Sequence, residues 1–327
     1  MATYAGVDLG ATNIRAVVGD GSGAVLASRR TGTPQGPNGI AVTEAVLSAL
    51  RGACEEAEVP PGGIEAVGVG SIGPLDLAEG VIENPANLPD TIDRIPLTGP
   101  LAELVDSDDV YLHNDTTAGV IGERFYSDRN PDDMVYLTIS SGIGAGVCVD
   151  GNVVQGWDGN AGEVGHTTVD PNGFMTCGCG IDGHWEAYCS GNNIFRYAQR
   201  LHDEDPVETS LPLESPEFSS ADVFQHADEG DGFAEYVLDQ VTQWNVVAVA
   251  NMIHSFAPLV IYVGGAVTLN NPDRVLGPLR ERLDDVVFSN VPDIQLTTLG
   301  DDIVVKGALA SALTSGTGDR SRVRSTR

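Results

Sequence analysis

The chain carries one short plan twice, and that repetition restricts its fold more than any other feature. Tyr4 to Asp20 reads as an apolar strand, a tight Asp8-Leu9-Gly10-Ala11-Thr12-Asn13 turn and a second apolar strand, with Asp20-Gly21 opening the next turn. Met134 to Gly151 repeats it: strand Met134–Ile139, a Gly-rich turn over Ser140-Ser141-Gly142-Ile143-Gly144-Ala145-Gly146, strand Val147–Val149, then Asp150-Gly151. Such an echo predicts duplicated α/β domains. Both turns set backbone N–H groups beside hydroxyls, a combination that suits phosphate oxygens. Gly turns between strands are common, however, and neither is a Walker A loop, because no Gly-Lys-Ser/Thr follows.

The remaining elements follow from periodicity and punctuation. A strand is expected at Ala24–Arg29 and a helix at Asn38–Ala57, ended by Val59-Pro60-Pro61-Gly62-Gly63. Ile64–Val69 reads as a buried strand running into the loop Gly70–Asp76, at the strand end where α/β proteins bind ligands. Asn84-Pro85-Ala86-Asn87-Leu88-Pro89 reads first as a turn, since Asn is a turn residue. Further along come helix Pro100–Val105, strand Val110–His113 and helix Thr117–Phe125. Asp115 between the last two suits either a general base or an N-cap. A helix begins near Asn192, an acidic, Pro-rich surface segment covers Asp203–Ser219, and helices start at Ser220 and span Phe233–Phe256. Pro258–Ala266 is a buried strand ending in Gly264-Gly265, where the backbone can approach a flat ligand closely. Helix Arg274–Val287, edge strand Ile294–Leu299, helix Ile303–Ala312 and a disordered tail Ser315–Arg327 complete the reading.

One stretch concentrates the reactive side chains. His166, Cys177, Cys179 and His184 sit in a polar, Gly-rich segment. Two thiols and two imidazoles at this spacing suit a tetrahedral zinc site, with Cys189 a rival to His184 as fourth ligand. The ordinary alternative is a pair of core cysteines, which apolar surroundings would favour. Glu163 and Glu186, interleaved with these ligands, are better suited to accepting hydrogen bonds from hydroxyl groups. The stretch therefore reads as a zinc-braced loop presenting acids to a polyol.

Gly162-Glu163-Val164-Gly165-His166, followed by Cys177-Gly178-Cys179-Gly180, Gly183-His184 and Glu186, resembles the signature of the ROK family of sugar kinases and sugar-responsive repressors. His184 stands where that family usually has a third Cys. The resemblance spans nearly the whole chain. It implies a two-domain, actin-like α/β fold of the hexokinase/Hsp70 superfamily, with duplicated βββαβα-type domains and an interdomain cleft. The implied boundaries are 1–113 (joined by a closing helix at about 303–314) and 114–302, with 315–327 as tail.

It further implies an ATP-dependent phosphorylation of a hexose. Asp8, near the Mg²⁺, would hold the nucleotide phosphates with Gly10, Ala11, Thr12, Asn13, Ser141 and Gly142, and Gly264 and Gly265 would meet the adenosine. Gly73, Asn87, Asn114, Asp115, Glu163, His166 and Glu186 would hold the sugar, with Asp115 as the base. His166, Cys177, Cys179 and His184 would hold a structural Zn²⁺. The Cys-x-Cys-Gly-x-x-Gly frame is closer to the family's glucokinases than to its fructokinases. Fructose, mannose, N-acetylglucosamine and N-acetylmannosamine stay open as acceptors, ADP and polyphosphate as donors, and a non-catalytic sensor as a third reading. The family's repressors carry a helix-turn-helix ahead of this domain, and the Asp8 turn arrives too early to leave room for one. Family members are often dimers or tetramers.

Charge sharpens these expectations. With 47 acids against 17 bases the formal net charge is −30, and Lys306 is the single lysine. Such a surface repels nucleic acid, which needs a basic footprint, and it is the mark of proteins adapted to a salt-filled cytoplasm, as in a halophilic archaeon. Five cysteines in 327 residues are too few for a disulfide scaffold, and no apolar run reaches membrane-spanning length. With no signal peptide at the N-terminus, a soluble, cytoplasmic protein is expected.

Overall fold

A computed structural model of the chain describes residues 2–85 and 87–323. In chain order the first elements are β1 (Thr3–Leu9), β2 (Asn13–Asp20), β3 (Val25–Gly32), α1 (Gly39–Glu56), β4 (Ile64–Ser71), β5 (Leu75–Asp76), β6 (Val81–Glu83), β7 (Arg94–Pro96), α2 (Thr98–Val105), β8 (Val110–Asn114) and α3 (Asp115–Tyr126). Then come β9 (Met134–Ile139), β10 (Ile143–Val149), β11 (Asn152–Val153), α4 (Glu186–Cys189), α5 (Ile194–Glu204), α6 (Ser220–Asp228) and α7 (Gly232–Phe256). The chain closes with β12 (Val260–Gly264), α8 (Ala266–Asn270), α9 (Pro272–Leu283), β13 (Asp293–Leu296) and α10 (Ile303–Thr314).

Two five-stranded sheets run β3-β2-β1-β4-β8 and β11-β10-β9-β12-β13, so the sequence echo becomes a structural one. In the first sheet β1 pairs antiparallel with β2 and parallel with β4, and β4 pairs parallel with β8. The parallel centre needs cover on both faces. Ala5, Val7 and Leu9 join a core with Val42, Val46 and Leu50 of α1. The alternate positions turn the other way, where a Cβ on Gly6 would lie 2.6 Å from the Leu309 nitrogen and one on Gly68 1.9 Å from the Ala308 oxygen. Glycine at these two sites is therefore what lets α10 lie directly on the sheet.

The contacts group the chain into two compact units. One comprises Met1–Tyr136, Gly146–Gly162 and Thr298–Arg327; the other comprises Leu137–Ala145 and Glu163–Thr297. This division differs from the expected boundary after residue 113, because α3 belongs with α10. A Cβ on Gly307 would meet the Ala118 oxygen at 1.8 Å, so the two helices touch backbone to backbone. The closing helix α10 groups with the first unit.

Four local expectations change. Residues 75–96 hold a three-stranded sheet, β5-β6-β7, that was not expected: β5 takes the end of the loop expected at 70–76, and β6 and β7 flank the turn expected at 84–89. The second turn is shorter than its Gly pattern suggests, since β10 already begins at Ile143. The acidic segment is not wholly solvated: Leu211 and Phe218 are buried. The tail is ordered through residue 323, and its last four residues lie outside the described ones. Buried Arg124 donates to the Thr317 carbonyl at 2.8 Å, and Arg320 forms a short 3₁₀ turn whose N–H meets Asn130 at 2.8 Å. Among the described residues no helix is long and apolar enough to cross a membrane.

Candidate active site

In the first unit the Asp8 turn is closed by the Gly10 N–H on the Asn13 carbonyl, 2.9 Å, and by the Thr33 hydroxyl on the Gly10 carbonyl, 2.7 Å. It borders a 350 Å³ cavity lined by Asp8, Gly10, Ala11, Thr12, Asn13 and, beside them, Arg15. Arg15 is one residue that sequence reasoning missed. Its guanidinium holds Asp8 at 3.1 Å and Asp302 at 2.9 Å. Burial pushes the Asp8 carboxyl above its ordinary range, and Arg15 opposes that shift.

The sugar-side candidates of this unit lie on loops and at one strand end. Asn114 is buried and caps α3: its Oδ1 accepts the Thr117 N–H at 2.7 Å. The cap is thus Asn114, not Asp115, which stands exposed at the first helical position with Oδ1 accepting the Thr116 N–H at 2.8 Å. Asn87 is exposed on the loop between β6 and β7. Gly73 lies in the loop after β4, which Asn160 fixes by accepting the Leu75 N–H at 3.1 Å. Behind Asn114, buried His113 spans Gln155 and Ser311, 2.7 Å on either side. Burial lowers its pKa to about 4, so the ring is neutral. The amide of Gln155 donates to Nδ1, which leaves the proton on Nε2 facing Ser311.

In the second unit His166, Cys177, Cys179 and His184 converge, with ligand atoms all within 4.8 Å of one another. The Cys177 sulfur lies 3.7 Å from Nδ1 of His166, and the Cys179 sulfur 3.3 Å from Nδ1 of His184. Tetrahedral zinc with ordinary Zn–S and Zn–N bonds places such atoms about 3.6 Å apart, so the set fits the ion. The backbone builds this arrangement. The Cys177 carbonyl accepts the Gly180 N–H at 2.8 Å to close the Cys-Gly-Cys-Gly turn. Gly183, at φ 76°, has no room for a Cβ, which would sit 2.0 Å from the Asp170 oxygen. Asp170 in turn accepts the Phe174 N–H at 2.9 Å and the Tyr188 hydroxyl at 2.6 Å. Cys189, the rival ligand, is excluded by position: it is fully buried with its thiol on the Val241 carbonyl, 3.4 Å away.

Glu163 and Glu186 flank this cluster. Desolvation raises the Glu163 pKa, His166 opposing it and Glu186 adding to it. Glu186 reaches the second Gly turn, its Oε2 accepting the Ile143 N–H at 2.9 Å. Ser141 is exposed on that turn. Gly265, at φ 85°, is required because a Cβ would lie 2.4 Å from the Ile139 oxygen. Just after it opens a 640 Å³ cavity whose lining includes Ala221, Phe224, Gln225, Ala266 and Asn270. Its lining from α6 had no signature in the sequence.

The profile of the ROK family matches residues 4–315. The chain belongs to the ROK family. It is 37% identical over 313 residues to a glucokinase of Pyrobaculum calidifontis, covering 95% of each chain. Its structure resembles the ROK hexokinase of Thermus thermophilus with a TM-score of 0.81 at 32% identity, over 95% of this chain and 97% of that one. It also resembles a ROK glucokinase of Streptomyces griseus solved with glucose and AMPPNP, with a TM-score of 0.73 at 27% identity, over 95% and 99% of the chains. This ROK protein has the actin-like fold and is an ATP-dependent sugar kinase.

Proposed function

We propose that this ROK kinase transfers the terminal phosphoryl group of ATP to the 6-hydroxyl of glucose. The observation that carries the reading is the placement of Asp115. An exposed carboxylate stands at the end of β8, its rotation fixed by the Thr116 amide, next to an asparagine held by capping. The glucokinase relative at 37% identity supports glucose as acceptor.

Phosphoryl transfer asks for positioning and charge neutralisation more than covalent chemistry. Asp115 accepts the proton of the attacking hydroxyl. Asn114 uses Oδ1 in the helix cap, so its Nδ2 is the group that donates to the sugar. Asn87, the Gly73 loop, Glu163, His166 and Glu186 meet the other hydroxyls. The Asp8–Asn13 turn and Ser141-Gly142 hold the donor phosphates, and Gly264-Gly265 with the neighbouring cavity take the adenosine. Asp8 offers a hard oxygen donor for Mg²⁺, which supplies charge neutralisation at the phosphates.

His166, Cys177, Cys179 and His184 would hold Zn²⁺, whose contribution is to brace the loop. Both imidazoles turn Nδ1 toward the thiols, which leaves Nε2 of His166 as a donor to the sugar. The net charge of −30 supports a salt-filled cytoplasm as the working environment, and the family resemblance supports a homo-oligomer.

The test is Asp115→Asn. Turnover is expected to fall roughly 10²–10⁴-fold, while glucose affinity in direct titration changes only a few-fold. Equal losses in binding and turnover would remove the base role.

A further inference from the structure

Glu186 does more than face an acceptor. The geometry points to Glu186 as a positioning residue for the donor-phosphate turn, so that the metal-bearing segment tunes nucleotide affinity as well as sugar affinity. This rests on the kinase reading above, in which residues 140–143 meet the donor phosphates.

The turn is held by that segment and by the residues just after α4. At Ile143, the N–H donates to Glu186 Oε2 at 2.9 Å, and Gly165 packs so closely that a Cβ there would lie 2.3 Å from the Ile143 carbonyl oxygen. At Gly142, an added Cβ would stand 2.7 Å from the same Glu186 oxygen. The Ser140 and Ser141 carbonyls accept the Gly191 and Asn192 N–H groups at 2.6 and 3.3 Å. Gly165 belongs to the Gly-Glu-x-Gly-His motif, and Glu186 follows the ligand candidate His184 by two residues.

Glu186 is itself anchored. Trp185 is fully buried, and its indole N–H donates to Asn245 of α7 at 2.8 Å. The Asn193 side chain donates to the Glu186 carbonyl at 3.1 Å. A carboxylate so placed can use Oε2 for the turn and Oε1 for a sugar hydroxyl. A charge-assisted hydrogen bond of this kind is strong enough to shift a ligand affinity about ten-fold.

Two substitutions separate the roles. Glu186→Gln keeps an oxygen acceptor for the Ile143 N–H. Glu186→Asp keeps the charge but is one methylene too short to reach it. AMPPNP with Mg²⁺ is titrated without sugar, and glucose is titrated without nucleotide, on full-length protein whose melting temperature is recorded. Glu186→Asp is expected to weaken AMPPNP binding about ten-fold and Glu186→Gln less than about two-fold, while both weaken glucose binding. Unchanged AMPPNP affinity in both variants overturns the proposal. Weakened AMPPNP binding with unchanged glucose binding keeps the tether and removes Glu186 from the sugar site. Hydrogen exchange on the wild-type protein adds a reading free of folding defects. The peptide containing Ile143 should gain protection when glucose binds, and unchanged exchange contradicts the coupling.

Discussion

The two glycine turns echo each other in sequence, yet they are held by different forces. Asp8–Asn13 adds an ion-pair bridge to its main-chain hydrogen bonds: Arg15 joins Asp8 and Asp302 at 3.1 and 2.9 Å, and these side chains are 21%, 19% and 53% exposed. Ser140–Ile143 is fixed by main-chain hydrogen bonds, by close glycine contacts and by one carboxylate from the segment carrying the Cys/His cluster. A duplicated backbone plan therefore does not bring duplicated support. The first turn should respond to ionic strength, the second to the metal.

The largest effect should come from the second support. Replacing Cys177 and Cys179 together by Ser is expected to lower kcat/KM for the hexose roughly a hundred-fold, with a rise in the ATP KM as well. Metal analysis should show zinc bound to the wild type and lost from this variant; full activity in zinc-free protein would break the comparison. The next effect tests the first support. Arg15→Met is expected to raise the ATP KM up to about ten-fold in dilute buffer. The gap to wild type should narrow in molar KCl, because salt screens partly exposed ion pairs. A gap that ignores salt would mean Arg15 acts through packing instead.

A third measurement contrasts the units as folded bodies. His113 titrates near pH 6.5 in the unfolded chain and about 4 in the folded one. Between those values only the unfolded chain binds the proton, so stability is complete above pH 6.5 and is lost as pH falls toward 4. The slope is about 1.4 kcal/mol per pH unit. Denaturation at a series of pH values should show this slope in the wild type and not in His113→Asn. The smallest effect lies in the second unit. Asp231 caps α7, accepting the Phe233 and Ala234 N–H groups at 3.0 and 2.9 Å. Burial opposes its ionisation, but hydrogen bonds from Ser210, Ala234 and Thr209 outweigh that and lower its pKa to about 2. Asp231→Ala should cost about 2 kcal/mol, a cost constant above pH 4 and lost only as pH falls toward 2.

Much of this was legible in the sequence, for physical reasons that differ from place to place. The helices over 39–56 and 232–256 announce themselves by apolar spacing, and β1 and β4 by unbroken apolar runs. His166, Cys177, Cys179 and His184 could be named together because ligand chemistry restricts both residue type and spacing. Arg15, Asn160, Gln155 and Ser311 could not. Each acts on a residue far along the chain, Arg15 on Asp302 and His113 on Ser311, and no local pattern encodes such a pairing. The contact grouping departs from the expected boundary after residue 113 for a similar reason. The link between α3 and α10 depends on Gly307 meeting Ala118, and a glycine inside a helix looks like a weakness until its partner is known.

The most direct test is ATP-dependent ADP release against a panel of hexoses and amino-hexoses, run in molar KCl with Mg²⁺. Glucose is expected to give the highest kcat/KM, with the product carrying phosphate on O6. Preference for another hexose would contradict glucose as the acceptor. No release with any sugar, from folded and zinc-loaded protein, would contradict the assignment of Asp115.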